Sequence, residues 1–227
     1  MSKKFILAID GPVASGKGTL AHLLAEKLDA FYLYTGAMYR GLALYCIENG
    51  IDVENEENVK KVFHNLNFDF SGKSIVLNGE DVTEKIKQPE VANKGSIVAG
   101  YKSVREFLVE LQKKIGFEEL NKGRIIIAEG RDIGTKVFPE AQVKIFLVAD
   151  PSIRAKRRTA QYREKGIEKP YDDILAEINK RDEADTKRSI SPLVPAKDSI
   201  KVDTTNDKIS DTYEKVLKIL KEKGFYD

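Results

Sequence analysis

Residues Gly11 to Thr19 read GPVASGKGT and begin one residue after the apolar run Phe5-Ile6-Leu7-Ala8-Ile9, a junction that limits the chain more than any other stretch. A buried strand that enters a Gly-x-x-x-x-Gly-Lys curl and then a helix turns a series of backbone N–H groups, with one ammonium, toward a polyphosphate. Leu20, Leu23, Leu24 and Leu28 recur at helical spacing, so the expected helix buries one stripe and aims its N-terminus at the phosphates. Gly11 and Gly16 suit turns that a Cβ would obstruct, Pro12, Val13, Ala14 and Ser15 form the arc, and the Lys17 ammonium can follow the β- and γ-phosphates. Gly18 follows Lys17 and the hydroxyl comes one residue later, at Thr19, which weakens direct coordination of Mg²⁺ by the loop. The competing reading is a glycine turn beside a solvated lysine. The strand and helix flanks favour a site for ATP or GTP.

A chain of 227 residues accommodates one well-buried domain with an insertion or two small domains, and one domain is the favoured reading. Charged residues make up 33% of it but the net charge is only +2, which gives no general electrostatic case for a nucleic-acid or membrane partner. The single cysteine, Cys46, excludes an internal disulfide framework and reads as a small buried residue among Leu42, Ala43 and Leu44. Met1-Ser2-Lys3-Lys4 leads straight into a strand too short for a signal-peptide core or a membrane span, so the expected location is the cytoplasm. His22 and His64 have no second His or Cys at ligand spacing.

Continuous apolar runs recur at Phe5–Ile9, Phe31–Leu33, Arg124–Ala128, Val143–Ala149 and Ile200–Val202. Strands covered on both faces read this way, and the helical patterns between them predict an α/β fold with a mostly parallel sheet. The last helical pattern, with Ile209, Tyr213, Val216, Leu217 and Leu220, closes at Gly224. From Leu66 to Val82, alternation split by Ser-Gly-Lys predicts a small antiparallel hairpin inserted over the sheet. Between Arg154 and Arg188 stand Arg154, Arg157, Arg158, Arg163, Arg181 and Arg188, with a turn expected near Lys165-Gly166. These arginines are either a solvated helix face or ligands of phosphate. Ser191-Pro192-Leu193-Val194-Pro195 reads as a stiff connector into the last strand.

A phosphate loop serves kinases, switch GTPases and motor ATPases alike. No Asn-Lys-x-Asp guanine reader is present. The strand near Ala128 ends in Glu129-Gly130-Arg131-Asp132, an acid and a base placed where an α/β sheet collects ligands, which suits a second anionic substrate better than a hydrolytic water.

Several segments together carry a specific resemblance: DGPVASGKGT (10–19), YTGAMYR (34–40), LNGEDVTEKI with PEVAN (77–93), SVRE (103–106), EGRDIGTKVFPEA with VKIFL (129–147) and RDEADTKRSISPLVPA (181–196). The chain resembles the bacterial cytidylate kinases of the nucleoside monophosphate kinase family of P-loop kinases. The resemblance implies transfer of the γ-phosphoryl group of ATP to CMP or dCMP. It also implies a single domain over 1–227, with a five-stranded parallel core (1–60, 89–150 and 191–227), a monophosphate-binding insertion at about 61–88 and a helical lid at about 151–190. A Gly-Lys-Gly-Thr ending is common in that family, with Mg²⁺ carried largely by the nucleotides, and Thr19 at most joins in. The family expectation is a monomer.

By the same similarity, Arg40, Arg131 and Arg188 should hold the CMP phosphate, Asp185 with Arg181 nearby should meet the ribose, and Thr35 belongs to the acceptor site. Ser96, Arg105 and Asp132 should read the base. Cytosine offers an amino donor at N4 and acceptors at N3 and O2, so its reader needs one carboxylate and one or more donors. Uracil would set O4 against a carboxylate with no proton between them, a buried mismatch that costs several kcal/mol. The rival reading of Asp132 is a helix cap beside Gly134 and Thr135, and that of Asp185 and Arg188 is an i,i+3 surface pair.

A nucleoside monophosphate has a second phosphate pKa of about 6, so at neutral pH it is already nucleophilic and needs no general base. Catalysis then consists of aligning two polyanions and neutralising moving charge through Lys17, the loop N–H groups, Mg²⁺, Arg131, Arg188 and, from the lid, Arg157 and Arg158. Gly116, Gly123 and Gly166 are available as flexible points for closure. Two alternatives remain: another small-molecule kinase on the same core, acting on UMP, AMP or shikimate, or a nucleotide-gated binding protein.

Overall fold

The computed structural model describes residues 4–71, 74–164 and 166–226. Met1–Lys3, the Gly72-Lys73 part of the expected hairpin turn and Lys165 lie outside the described residues. In chain order the elements are β1 (Ile6–Asp10), α1 (Lys17–Leu28), β2 (Phe31–Tyr34), α2 (Thr35–Glu48), α3 (Glu56–Lys60), β3 (Phe68–Ser71), β4 (Ser74–Leu77), β5 (Glu80–Asp81), α4 (Pro89–Val98), α5 (Lys102–Asn121), β6 (Ile126–Gly130), β7 (Val143–Val148), α6 (Pro151–Glu164), α7 (Tyr171–Lys187), β8 (Ile200–Asp203) and α8 (Ile209–Glu222).

The five apolar runs become one parallel sheet in the order β2-β6-β1-β7-β8. All five residues of β1 are buried, as its central place demands, and alternate side chains feed opposite faces. Ile6 and Ala8 join a core with α2, α4 and α5, while Leu7 and Ile9 join another with α1 and α8. The phosphate loop therefore leaves the middle of the sheet, where β1 lies between β6 and β7, at the carboxyl ends of the strands, the side on which open α/β sheets take their ligands.

β6 begins two residues later than its apolar run. Arg124 stays outside, paired with Glu119 at 2.9 Å and lying 5.2 Å from the Phe31 ring centre, whereas Glu129 and Gly130 complete the strand opposite Ile9 and Asp10. The expected hairpin is a three-stranded antiparallel sheet, because Glu80–Asp81 adds a short strand against Val76 and Leu77. Its Phe68, Ile75 and Leu77 enter the same core as α2. At the other end of the chain, Gly224 closes α8 with φ 71°, and the Phe225 N–H donates to the Leu220 carbonyl at 2.9 Å. Among the described residues no helix is long and apolar enough to cross a membrane.

Gly116 does not mark a hinge. It lies inside α5, where a Cβ would stand 2.4 Å from Phe138 Cζ, so its lack of a side chain lets α5 approach the turn after β6.

Candidate active site

The phosphate loop is tied to the sheet at Gly11, where a Cβ would stand 2.5 Å from the Leu147 backbone oxygen of β7. Gly11→Ala should therefore force the curl away from β7, weakening ATP binding at least tenfold in titration calorimetry and lowering the melting temperature. Lys17, 6% exposed, folds back to donate from Nζ to the Pro12 carbonyl at 2.8 Å. Burial brings its pKa down to about 7, the positive charge of Arg131 acts in the same direction, and Glu129 and Asp185 oppose both. Ser15 is buried and its hydroxyl has no hydrogen-bond partner, while Thr19 is exposed on the first turn of α1.

Beyond the loop, the residue after β6 meets the end of α7. Arg131 Nε donates to Asp185 Oδ2 at 2.7 Å, and Arg188 Nη1 lies 3.4 Å from Asp185 Oδ1. Burial works against the Asp185 charge, but Arg131, Arg181 and Arg188 outweigh it and hold the carboxyl below its usual range. The i,i+3 pair weighed from sequence is present, as one edge of a network joining two distant segments. Ser191–Pro195 is more than a connector here. It folds onto the end of α7, with Arg188 Nε donating to the Ser191 carbonyl and the Leu193 N–H donating to the Asp185 carbonyl at 2.8 Å. Arg181 stands beside this network, its pKa drawn down to about 10 by burial and by Arg131.

Thr35, 3% exposed at the start of α2, donates to the Glu129 carbonyl at 2.8 Å and so ties α2 to the end of β6. Arg40 lies one turn further along α2. Its stem packs where a Cβ on Gly95 would stand 3.0 Å from Cγ, and its guanidinium lies 5.3 Å from the Tyr34 ring centre. Ser96, the next residue of α4, is exposed and donates to its own helix at the Ala92 carbonyl, 3.1 Å away.

Asp132 and Arg105 form a buried pair, 4% and 3% exposed, with Arg105 Nη2 donating to Asp132 Oδ2 at 2.6 Å. Asp132 makes no side-chain cap to the π-helical turn that follows it (Ile133–Val137), so the helix-cap reading does not hold. Arg105 is fixed from two further sides, by the Ala99 carbonyl at 3.1 Å and by the Tyr39 ring at 5.3 Å. Arg105 Nε, the Tyr39 hydroxyl, Arg181 Nε and Arg188 Nη2 are buried with no hydrogen-bond partner. Unpaired polar groups of this kind are rare in a finished interior and mark a place for a polar ligand.

Of the basic residues on α6 and α7, Arg154 is the buried one, at 3% exposure. It donates to the Val13 carbonyl at 3.1 Å, to the Ala149 carbonyl at 2.9 Å and to Asp182, joining the phosphate loop to both helices. Arg157 donates instead to Thr204 and to the Asp207 carbonyl in the loop after β8. Arg158 lies 4.6 Å from the ring centre of Tyr162 on its own helix. The structure thus places Arg157 and Arg158 outside the Arg131–Asp185–Arg188 network.

Sequence reasoning gave no role to Asp10, took Glu129 only as part of a strand ending and did not single out Arg154 among six arginines. Asp10, 4% exposed, ends β1; Glu129, 5% exposed, stands one residue before the end of β6; and Arg154 anchors α6. For the two acids the available signal was a carboxylate closing an apolar run. Nothing in the spacing separates Arg154 from its neighbours.

Comparisons with known proteins agree with this architecture. The family model described as "Cytidylate kinase" matches residues 7–222. Proteins named "Cytidylate kinase" from Thermosipho melanesiensis and Enterococcus faecalis are 45% and 42% identical over 217 and 226 residues; the alignments cover 96% and 98% of this chain, and 97% and 98% of those proteins. A crystal structure of an uncharacterized protein from Eubacterium ventriosum shares the fold alone, with a TM-score of 0.52 at 13% identity over 97% of this chain and 99% of that one. A phosphate loop at mid-sheet, an arginine network facing it and a family match along almost the whole chain place this protein in the cytidylate kinase family.

Proposed function

We propose that the chain transfers the γ-phosphoryl group of ATP to CMP or dCMP, with the phosphate loop (residues 11–19) as donor site and the Arg131–Asp185–Arg188 region as acceptor site. The observation that carries the acceptor reading is the buried Asp132–Arg105 pair ringed by unpaired donors. With Oδ2 engaged by Arg105, Asp132 has Oδ1 for the amino group of cytosine, and Arg105 Nε is a donor for the ring's acceptors. Arg40, Arg131 and Arg188 take the acceptor phosphate, Arg181 and Asp185 the ribose, Thr35 fixes the end of β6 beside them, and Ser96 turns from its helix carbonyl toward the base.

The monophosphate attacks in line without a general base, so the protein's part is alignment and charge neutralisation by Lys17, the loop N–H groups and the arginines. Mg²⁺ arrives with ATP as its counter-ion. Helices α6 and α7 act as the lid, with Arg157 and Arg158 released from their present partners when it closes. The insertion is residues 61–88, and the enzyme works as a cytoplasmic monomer.

The deciding experiment is an ADP-release assay with CMP, dCMP, UMP and AMP on the wild type and Asp132→Asn. An amide can turn its NH₂ toward uracil O4, so CMP activity should fall roughly 10²-fold while UMP activity falls far less or rises. Equal losses on CMP and UMP would remove Asp132 from base recognition.

A further inference from the structure

Asp10 ends β1 one residue before the phosphate loop, yet its side chain serves the opposite substrate's half of the site. Its Oδ1 accepts from the Ile133 N–H and its Oδ2 from the Gly134 N–H, both at 2.8 Å. These are the first two N–H groups of the Ile133–Val137 turn, donors that the turn itself cannot satisfy. Ordinarily the residue in Asp132's place would cap them. Here Asp132 makes no cap bond, and its carboxylate meets Arg105 instead.

The contact has little slack. A Cβ on Gly134 would stand 3.4 Å from Asp10 Oδ2 and 3.2 Å from Lys144 Cδ, so the turn is held between the Asp10 carboxylate and the Lys144 stem. The Lys144 ammonium is committed elsewhere, to the Pro139 carbonyl and to Asp198.

We propose that Asp10 is the positioning residue of base recognition: by capping the Ile133–Val137 turn from across the sheet, it leaves the Asp132 carboxylate free to face Arg105 and the pyrimidine. This rests on the reading of Asp132 as the base reader. Without the cap from Asp10, the exposed N–H groups compete for Asp132, which swings back onto its own turn and abandons both Arg105 and the substrate. Asp10 thereby becomes a specificity determinant although it touches neither nucleotide.

The test compares kinetics on CMP and UMP, at varied ATP, for the wild type, Asp10→Asn, Gly134→Ala, Asp132→Asn and the double variant Asp10→Asn/Asp132→Asn, with a melting temperature for each. Burial raises the Asp10 carboxyl to about 7, so the uncharged isostere also removes an unfavourable buried charge, and Asp10→Asn is expected to fold. Its KM for CMP should rise about tenfold and its CMP-to-UMP preference in kcat/KM drop by a similar factor, with the KM for ATP unchanged within about twofold. Gly134→Ala, which intrudes on the same contact from the other end, should shift both in the same direction by less. In the double variant the preference should equal that of Asp132→Asn alone.

If Asp132→Asn alters the preference and Asp10→Asn does not, the inference is wrong and the base-reading assignment stands. If Asp132→Asn leaves the preference unchanged, both fall. Equal rises in the KM for CMP and for ATP would make Asp10 a structural residue only and overturn the proposal. Should Asp10→Asn not fold, Gly134→Ala decides by the same criteria.

Discussion

Lys17→Gln should lower kcat by about three orders of magnitude while leaving the melting temperature equal or higher. The ammonium is the one side-chain cation of the phosphate loop, and removing a single preorganised charge from the path of a moving phosphoryl group costs on the order of 10² to 10³ in rate. Stability should not suffer, because the folded protein holds this lysine buried against Arg131, with its pKa drawn down to about 7. The sign of that shift gives a second test. A group whose pKa falls on folding is mostly unprotonated above that value, so at pH 8 much of the ligand-free Lys17 is neutral, and an arriving polyphosphate restores its proton. Calorimetry in buffers of different ionisation enthalpy should show MgATP binding taking up most of a proton at pH 8 and almost none at pH 5.5. Lys17→Gln should abolish the uptake, and uptake independent of pH would refute this account of the loop.

Asp185→Ala should destabilise the ligand-free protein by about 2 kcal/mol, below the usual scale for one partner of a fully buried ion pair because this network is only partly buried. Asp185 is the only acid bonded to Arg131 and Arg188 among the described contacts, and it also offsets the charge of Arg181. Without it three guanidinium groups face one another. Added sulfate or phosphate should then raise the melting temperature of the variant more than that of the wild type, because the anion supplies the missing charge. The pH dependence has a definite direction. The Asp185 carboxyl is held below its usual range, so its stabilisation is present above the unfolded value near 3.8 and is lost as pH falls through the folded one. The gap between variant and wild type should close in acid. A gap that stayed constant down to pH 3 would assign the loss to packing.

The sheet was legible because burial on both faces writes itself as unbroken apolar runs, and Phe5–Ile9 could serve no other purpose. Its register was not. Glu129 reads as a polar residue beyond the end of β6, but Ile9 pairs with it and the strand continues to Gly130. β5 has two exposed residues, too few to carry any period, and it exists because β4 offers it an edge. In the site, only the family resemblance grouped Asp132 with Arg105, and nothing in the sequence signalled that the two pair with each other. Geometry altered the rest. Arg157 and Arg158 stand among six similar arginines, and only the fold shows Arg157 spent on carbonyls after β8 while Arg154 turns inward. Asp10 was hidden for a different reason. Its partners are amide groups 123 and 124 positions away, and backbone donors leave no trace in residue identities.

Val13 and Ala14, at the crest of the phosphate loop, pack against the apolar cluster of Ala155, Ile174 and Ile178 that joins α6 to α7, and Arg154 fastens the same crest from the side. The crest of the curl is therefore also the floor on which α6 and α7 rest. Anything that reshaped the curl would shift the footing of both helices together, and by reciprocity a shift of the helices would be felt at the curl to the same extent.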